Sequence, residues 1–304
     1  MSDPAVPAPV HPARALWWLF EPVYAVTFLQ PESRAAFEAI GLDGGWRGYF
    51  AARSAPLGAA DAPTVTAAFF SFAPALVGEA LPEVWTHASP EQALAARAAG
   101  SAAVLARLLA AVPPARVEEA ATALERAAAR ADCAGRVLAA ANAALPRPAD
   151  AYGRLWHAAT VLREHRGDGH VAALVAAGLD GCEASVLHCA TGAVRRVLQP
   201  MRGWTDAEWE AAGDRLVDRG WLTAAGAKKA AGANGTTRTA RATTELGRLR
   251  HRELEAATDR AAGRVWEGLP AGELDRLTDA LTPLAAVCRA QMPVDPLAMP
   301  PVRG

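Results

Sequence analysis

Several things are scarce in this chain of 304 residues, and each scarcity removes a class of protein. Its 4 cysteines (Cys133, Cys182, Cys189 and Cys288) are scattered, with no CxxC pair. That excludes a disulfide framework or a cysteine-built zinc site, and it fits a reduced, cytoplasmic protein. Lysine is rare and the formal net charge is −1, so no global basic field draws the chain to nucleic acid or to a membrane surface. Long apolar runs are missing too. The nearest, "LWWLFEPVYAVTFL", is interrupted by Glu21-Pro22, is too short to span a bilayer and has no signal-peptide cleavage pattern. What remains is rich in Ala, Leu and Arg, a composition that favours helices, with 9 Trp as the main aromatic mass. The Pro-rich start, "MSDPAVPAPVHP", reads as a tail.

The chain also repeats itself. "GLDG" occurs at 41–44 and again at 178–181. Around it, "LFEPVYAVTFLQPESRAAFEAIGLDG" lies over "LWHAATVLREHRGDGHVAALVAAGLDG", with Phe37 on Leu174 and Leu42 on Leu179. Both copies read as helix, polar break, helix, glycine stop. Further along, "FAPALVGEALPEVW" lies over "EWEAAGDRLVDRGW", with Trp85 on Trp221. The capped starts at Ser89 and Thr244 each open a long helix. Last, "VPPARVEEAATALERAA" matches "LPAGELDRLTDALTPLA", with Pro113 on Pro270, Val117 on Leu274 and Leu124 on Leu281. The matches are collinear, so an internal duplication is expected. The second copy holds extra residues between Trp221 and Thr244.

That second copy spells out the unit. "TDAEWEAAGDRLVDRGWLT" is an amphipathic helix over 206–218 that stops at Gly220. Asn234-Gly235 signals a tight turn, "TTRTARATT" suits a strand, and "TTELG" opens the next helix. This order resembles the MarR family of winged-helix regulators, in tandem form. Over the whole chain, through "HRGDGH…GLDG", the sequence is also similar to an uncharacterised helix-turn-helix family of high-GC bacteria. The MarR resemblance implies a recognition helix at 206–218, a wing at 222–243 and dimerisation helices beyond. Two fused copies would form a pseudo-two-fold dimer within one chain.

The expected fold is therefore mostly α, built from two fused winged-helix-like repeats with a small β-hairpin wing in the second. A tail at 1–13 precedes a degenerate repeat at 14–146, a linker at 147–151, a MarR-like repeat at 152–294 and a tail at 295–304. Trp17, Trp18, Trp156 and Trp266 read as core.

For DNA the sequence points both ways. The wing carries Lys228, Lys229, Arg238 and Arg241 without an acid, which suits a phosphate backbone. The recognition helix carries Asp206, Glu208, Glu210, Asp214 and Asp218 against Arg215, which does not. The first copy has Pro74 within its equivalent segment and almost no wing. Weak, largely sequence-independent binding is the expectation.

The polar stretch "REHRGDGH" has no counterpart in the first copy. As plain structure, Asp168 would N-cap a helix beginning at Gly169, and His165 and Arg166 would close the helix before it. Three functional readings compete. Arg163, Arg166, His165, Asp168, His170 and His188 could bind a small polar or anionic molecule between the copies. The loop at 165–170 could instead serve acid–base catalysis on a recycled scaffold. His165, Asp168, His170 and His188 could hold a metal, although their spacing matches no metal motif and no metal is assigned. Arg47, Tyr49 and Arg53 are unusual polar groups in the first copy that could complete a pocket. The expected function is small-molecule binding, as a ligand-responsive regulator; no cofactor is identified.

Overall fold

The structure, a computed structural model, describes residues 10–224, 241–270 and 272–292, together with the backbone of two short strands at 227–229 and 236–238. The chain is mostly helical. The first half runs α1 (Pro12–Leu29), α2 (Pro31–Glu38), α3 (Gly45–Ser54), α4 (Ala62–Phe69), α5 (Pro74–Gly78), α6 (Pro90–Leu108), α7 (Pro114–Ala128) and α8 (Val137–Ala143). The second runs α9 (Ala151–Ala176), α10 (Gly181–Ala190), α11 (Arg195–Arg202), α12 (Asp206–Asp218), β1 (Ala227–Lys229), β2 (Thr236–Arg238), α13 (Glu245–Gly263) and α14 (Glu273–Ala290). The strands pair antiparallel, Ala227 opposite Arg238 and Lys229 opposite Thr236, and Leu222 bridges Thr243 at their base.

Local chemistry sets many of the boundaries. Ser89 with Gln92 and Thr205 with Glu208 form reciprocal capping boxes that start α6 and α12. Thr244 caps α13 by accepting the Gly247 N–H. Gly41 and Gly178, both at positive φ, end α2 and α9, and Leu42 and Leu179 close the same bond back to Phe37 and Leu174.

The stretch 165–170 is not a loop. Residues 151–176 form one continuous helix of 26 residues, so Asp168 caps no helix beginning at Gly169. Two glycines in a helix each cost about 1 kcal/mol. Burial of α9 against α1, α6, α7, α8 and α13 offsets that cost. Gly169 has a packing reason as well: a Cβ there would lie 2.5 Å from Arg136 Nη1 and 3.1 Å from Ala261 Cβ. The stretch of the first half that aligns with it in sequence does break, at Gln30 before Pro31.

The central core joins α1, α6, α7, α9, α13 and α14 around Trp156 and Trp266. Helix α1 packs on α14, and α9 packs on α7, so the first long helix of each half lies against the last long helix of the other. A second cluster gathers Phe37, Phe50, Phe69 and Phe72; a third gathers Trp209, Leu216, Trp221 and Leu254. Trp156 and Trp266 are core, whereas Trp17 is only half-buried and Trp18 is 38% exposed. Both of the latter border the cavity described next, which leaves them a free face. No single described helix is long and apolar enough to cross a membrane.

Candidate ligand cavity

A cavity of about 390 Å³ opens between the halves. Helices α1, α3 and α4 and the segment 69–72 form one side; α9, α10, α11 and α13 form the other. Trp17, Tyr49, Phe69 and Phe72 supply aromatic faces, while Leu174, Leu187, Leu198 and Leu254 supply aliphatic wall.

Helical periodicity sorts the polar residues of α9 onto two faces. Arg163, Arg166 and His170 line the cavity, Asp168 borders it, and His188 joins them from α10. His165 does not. Its ring Nε2 meets the Asp132 carbonyl at 3.2 Å, and burial, then the Arg136 charge, push its pKa down to about 4. Asp168 turns out to cap a helix after all, but a distant one. It accepts the Ala139 N–H at 2.9 Å in the first turn of α8, and burial raises its pKa to about 6. With His165 and Asp168 each committed to backbone, they form no histidine–carboxylate hydrogen bond for acid–base work. No group of three metal-ligating side chains converges among the described residues.

The cavity's arginines are held on aromatic faces. Arg53 lies over Phe69 (4.1 Å), Arg166 over Trp17 (4.6 Å), Arg163 over Tyr24 (4.9 Å) and Arg202 over Phe72 (4.4 Å). Most are also paired. Glu164, only 1% exposed, takes Arg53 through both oxygens and Arg163 at 3.0 Å, and accepts the Tyr24 hydroxyl at 3.3 Å. Burial would raise its pKa, but the two guanidinium groups hold it at about 2. Arg166 meets Asp259 at 3.2 Å, and Arg14 meets Asp259 and Glu255 at 2.7 and 2.8 Å. His170 shares a 2.9 Å hydrogen bond with Thr258. The His188 ring makes no hydrogen bond among the described residues, and burial, then neighbouring His251, lower its pKa to about 4.

Sequence reasoning missed Glu164 and Arg202. Neither stands in a motif: Glu164 sits amid other charged residues, and Arg202 precedes an ordinary helix-stopping glycine. Only their tertiary surroundings distinguish them.

Beside the cavity, α11 and α12 are joined by a three-residue turn whose Gly203 is left-handed, φ 75°. Helix α10 packs on both. The turn is tied to the cavity wall: Trp204 Nε1 donates to the Ser71 carbonyl (3.0 Å), and the Ala73 N–H donates to the Arg202 carbonyl (2.8 Å). The acidic face of α12 is largely occupied. Arg195 pairs with Asp206 and Glu210, and Arg241 with Glu210 and Asp214. Arg241, with its side chain 8% exposed, is thus turned onto α12 rather than outward as a phosphate contact would require. The side chains of Lys228, Lys229 and Arg238 lie outside the described residues.

A helix-turn-helix family model matches residues 13–294, and the chain belongs to that helix-turn-helix family. No curated protein and no solved structure matches it.

Proposed function

We propose that the chain is a ligand-responsive helix-turn-helix regulator whose small polar or anionic effector occupies the cavity between the halves. The observation that carries this reading is the shared wall. Residues 69–72 line the cavity, and Ser71 is hydrogen-bonded to the turn between α11 and α12, so an occupant touches the segment that positions the motif. A volume of about 390 Å³, aromatic walls and a few convergent polar groups are typical of small-molecule sites.

The same proposal takes the two halves as MarR-like winged-helix copies, with the 222–243 hairpin as a wing. Support comes from the matched glycine caps, the 19-residue helices α6 and α13 in corresponding places, and the reciprocal packing of α1 on α14 and α9 on α7. DNA contact is assigned to the hairpin, which holds both of the chain's lysines, and is expected to be weak and salt-sensitive. The acids of α12 argue against base reading.

Thermal-shift screening of the full chain against a panel of small organic acids, amines and neutral analogues tests the ligand reading. Hits should lose their effect when Trp17 or Phe72 is replaced by alanine. A panel without hits, or hits indifferent to both replacements, removes the cavity from the proposal.

A further inference from the structure

We infer that Arg202, on the last turn of α11, is the anchor of an anion subsite, and that the occupant is a small organic monoanion with a flat apolar body. This rests on the ligand reading above and sharpens it.

Charge matching singles out Arg202. Four cavity arginines, Arg14, Arg53, Arg163 and Arg166, are met by four carboxylates, Glu21, Glu164, Glu255 and Asp259. Asp168 is engaged with the start of α8 and lies within the field of Arg136. Arg202 is left over. Its guanidinium lies over Phe72 and meets no carboxylate among the described residues. A partly buried cation without a counter-charge is costly, and an entering anion removes that cost. One surplus cation selects one negative charge.

The neighbours extend the subsite. The Tyr49 hydroxyl oxygen accepts from Arg53 at 3.2 Å, so its own proton is free to donate to the guest. His188 lines the same space, and its ring makes no hydrogen bond among the described residues. The rings of Trp17, Phe69 and Phe72 leave slots that suit a planar body better than a branched or heavily hydrated one. Because Arg202 also holds the Ala73 N–H through its carbonyl, an anion on its side chain acts directly at the end of α11.

Calorimetric titration of the full chain with 2-naphthoate, 2-naphthamide and inorganic phosphate tests the assignment, using wild type, Arg202→Gln and Arg202→Lys. The acid should bind at least tenfold tighter than its amide. That preference should vanish in Arg202→Gln and return in part in Arg202→Lys. An amide that matches the acid, or a preference surviving in Arg202→Gln, overturns the subsite while leaving the cavity reading intact. Phosphate binding as tightly as the naphthoate overturns the flat-bodied class. If neither aryl compound binds, the subsite assignment falls, and the broader thermal-shift panel decides the cavity reading separately. Should Arg202→Gln lose its helical circular dichroism, Tyr49→Phe replaces it. A several-fold narrowing of the acid–amide gap then supports the subsite, and an unchanged gap overturns it.

Discussion

Arg53 of α3 and Glu164 of α9 meet in a two-point ion pair across the two halves, with Nε to Oε1 at 3.0 Å and Nη2 to Oε2 at 2.9 Å. The carboxylate is buried, so removing Arg53 leaves it with Arg163 as its remaining cationic partner among the described residues. Arg53→Ala should destabilise the fold by up to about 3 kcal/mol, less than a fully stranded charge would cost, whereas replacing both partners, Arg53→Met with Glu164→Leu, should recover part of the loss, with Arg163 left to Glu21. Urea unfolding of the single and double variants checks this; a double variant as unstable as the single would contradict it.

Glu164 also sets an acid limit. Its folded pKa, about 2, lies below the ordinary 4.5, so its stabilising contribution is complete above pH 4.5 and declines as pH falls toward 2. Glu164→Gln should be less stable than wild type at pH 7, and the gap should close between pH 4.5 and 2.

His165 acts in a higher window. Its folded pKa is about 4 against an ordinary 6.5, so only the unfolded chain takes up the proton in between. Its contribution is whole above pH 6.5 and is lost by pH 4, on the order of 2–3 kcal/mol. Asp168, raised to about 6, works in the opposite sense over part of that range. The readout is therefore the difference between wild type and His165→Gln, which should shrink in melting temperature from pH 7 to pH 4.

At Asp168 the oxygen matters more than the charge. Asp168→Asn keeps an acceptor for the Ala139 N–H and removes a carboxylate whose ionisation burial opposes. At pH 7.5 it should match or exceed wild-type stability, while Asp168→Ala should lose about 1 kcal/mol. Equal losses in both variants would show that the cap is not what Asp168 provides.

Gly181, at the start of α10, tests the link between the cavity wall and the α10–α12 segment. A Cβ there would fall 2.0 Å from the Phe70 carbonyl oxygen, which is backbone and cannot swing aside. Phe70 itself sits at φ 56°, ψ −56°, and the Ser71 N–H reaches the Phe69 carbonyl at 2.6 Å, a strained three-residue turn. Gly181→Ala should lower stability by about 1–3 kcal/mol and weaken any ligand found in the cavity screen. Unchanged ligand affinity would separate the turn from the site.

For DNA, a weak, salt-sensitive anisotropy change with duplex DNA is expected, and replacing Lys228, Lys229 and Arg238 together with alanine should abolish it. Arg241→Ala should leave that signal alone and instead cost about 1 kcal/mol of stability, since its partners lie on α12 and Asp214 is largely exposed. A sequence-selective signal that depends on Arg241 would reverse this assignment.

Much of the helix inventory was legible in the sequence because caps and stops are local. Ser89-Gln92, Thr205-Glu208, Thr244 and the glycines at 41, 178 and 220 act within a few residues of themselves, and α12 runs over 206–218 as its pattern predicts. What sequence alone could not decide was the meaning of "REHRGDGH". Two glycines and a cap-forming aspartate read as a break, yet packing of α9 on five helices outweighs their local preference. Once the segment is helical, the 3.6-residue period parts His165 from Arg166 and His170, sending one to backbone and the others to the cavity. The surplus charge at Arg202 is likewise invisible in a chain of net charge −1, because pairing depends on side chains from α1, α3, α9 and α13 that are distant in sequence and adjacent only after folding.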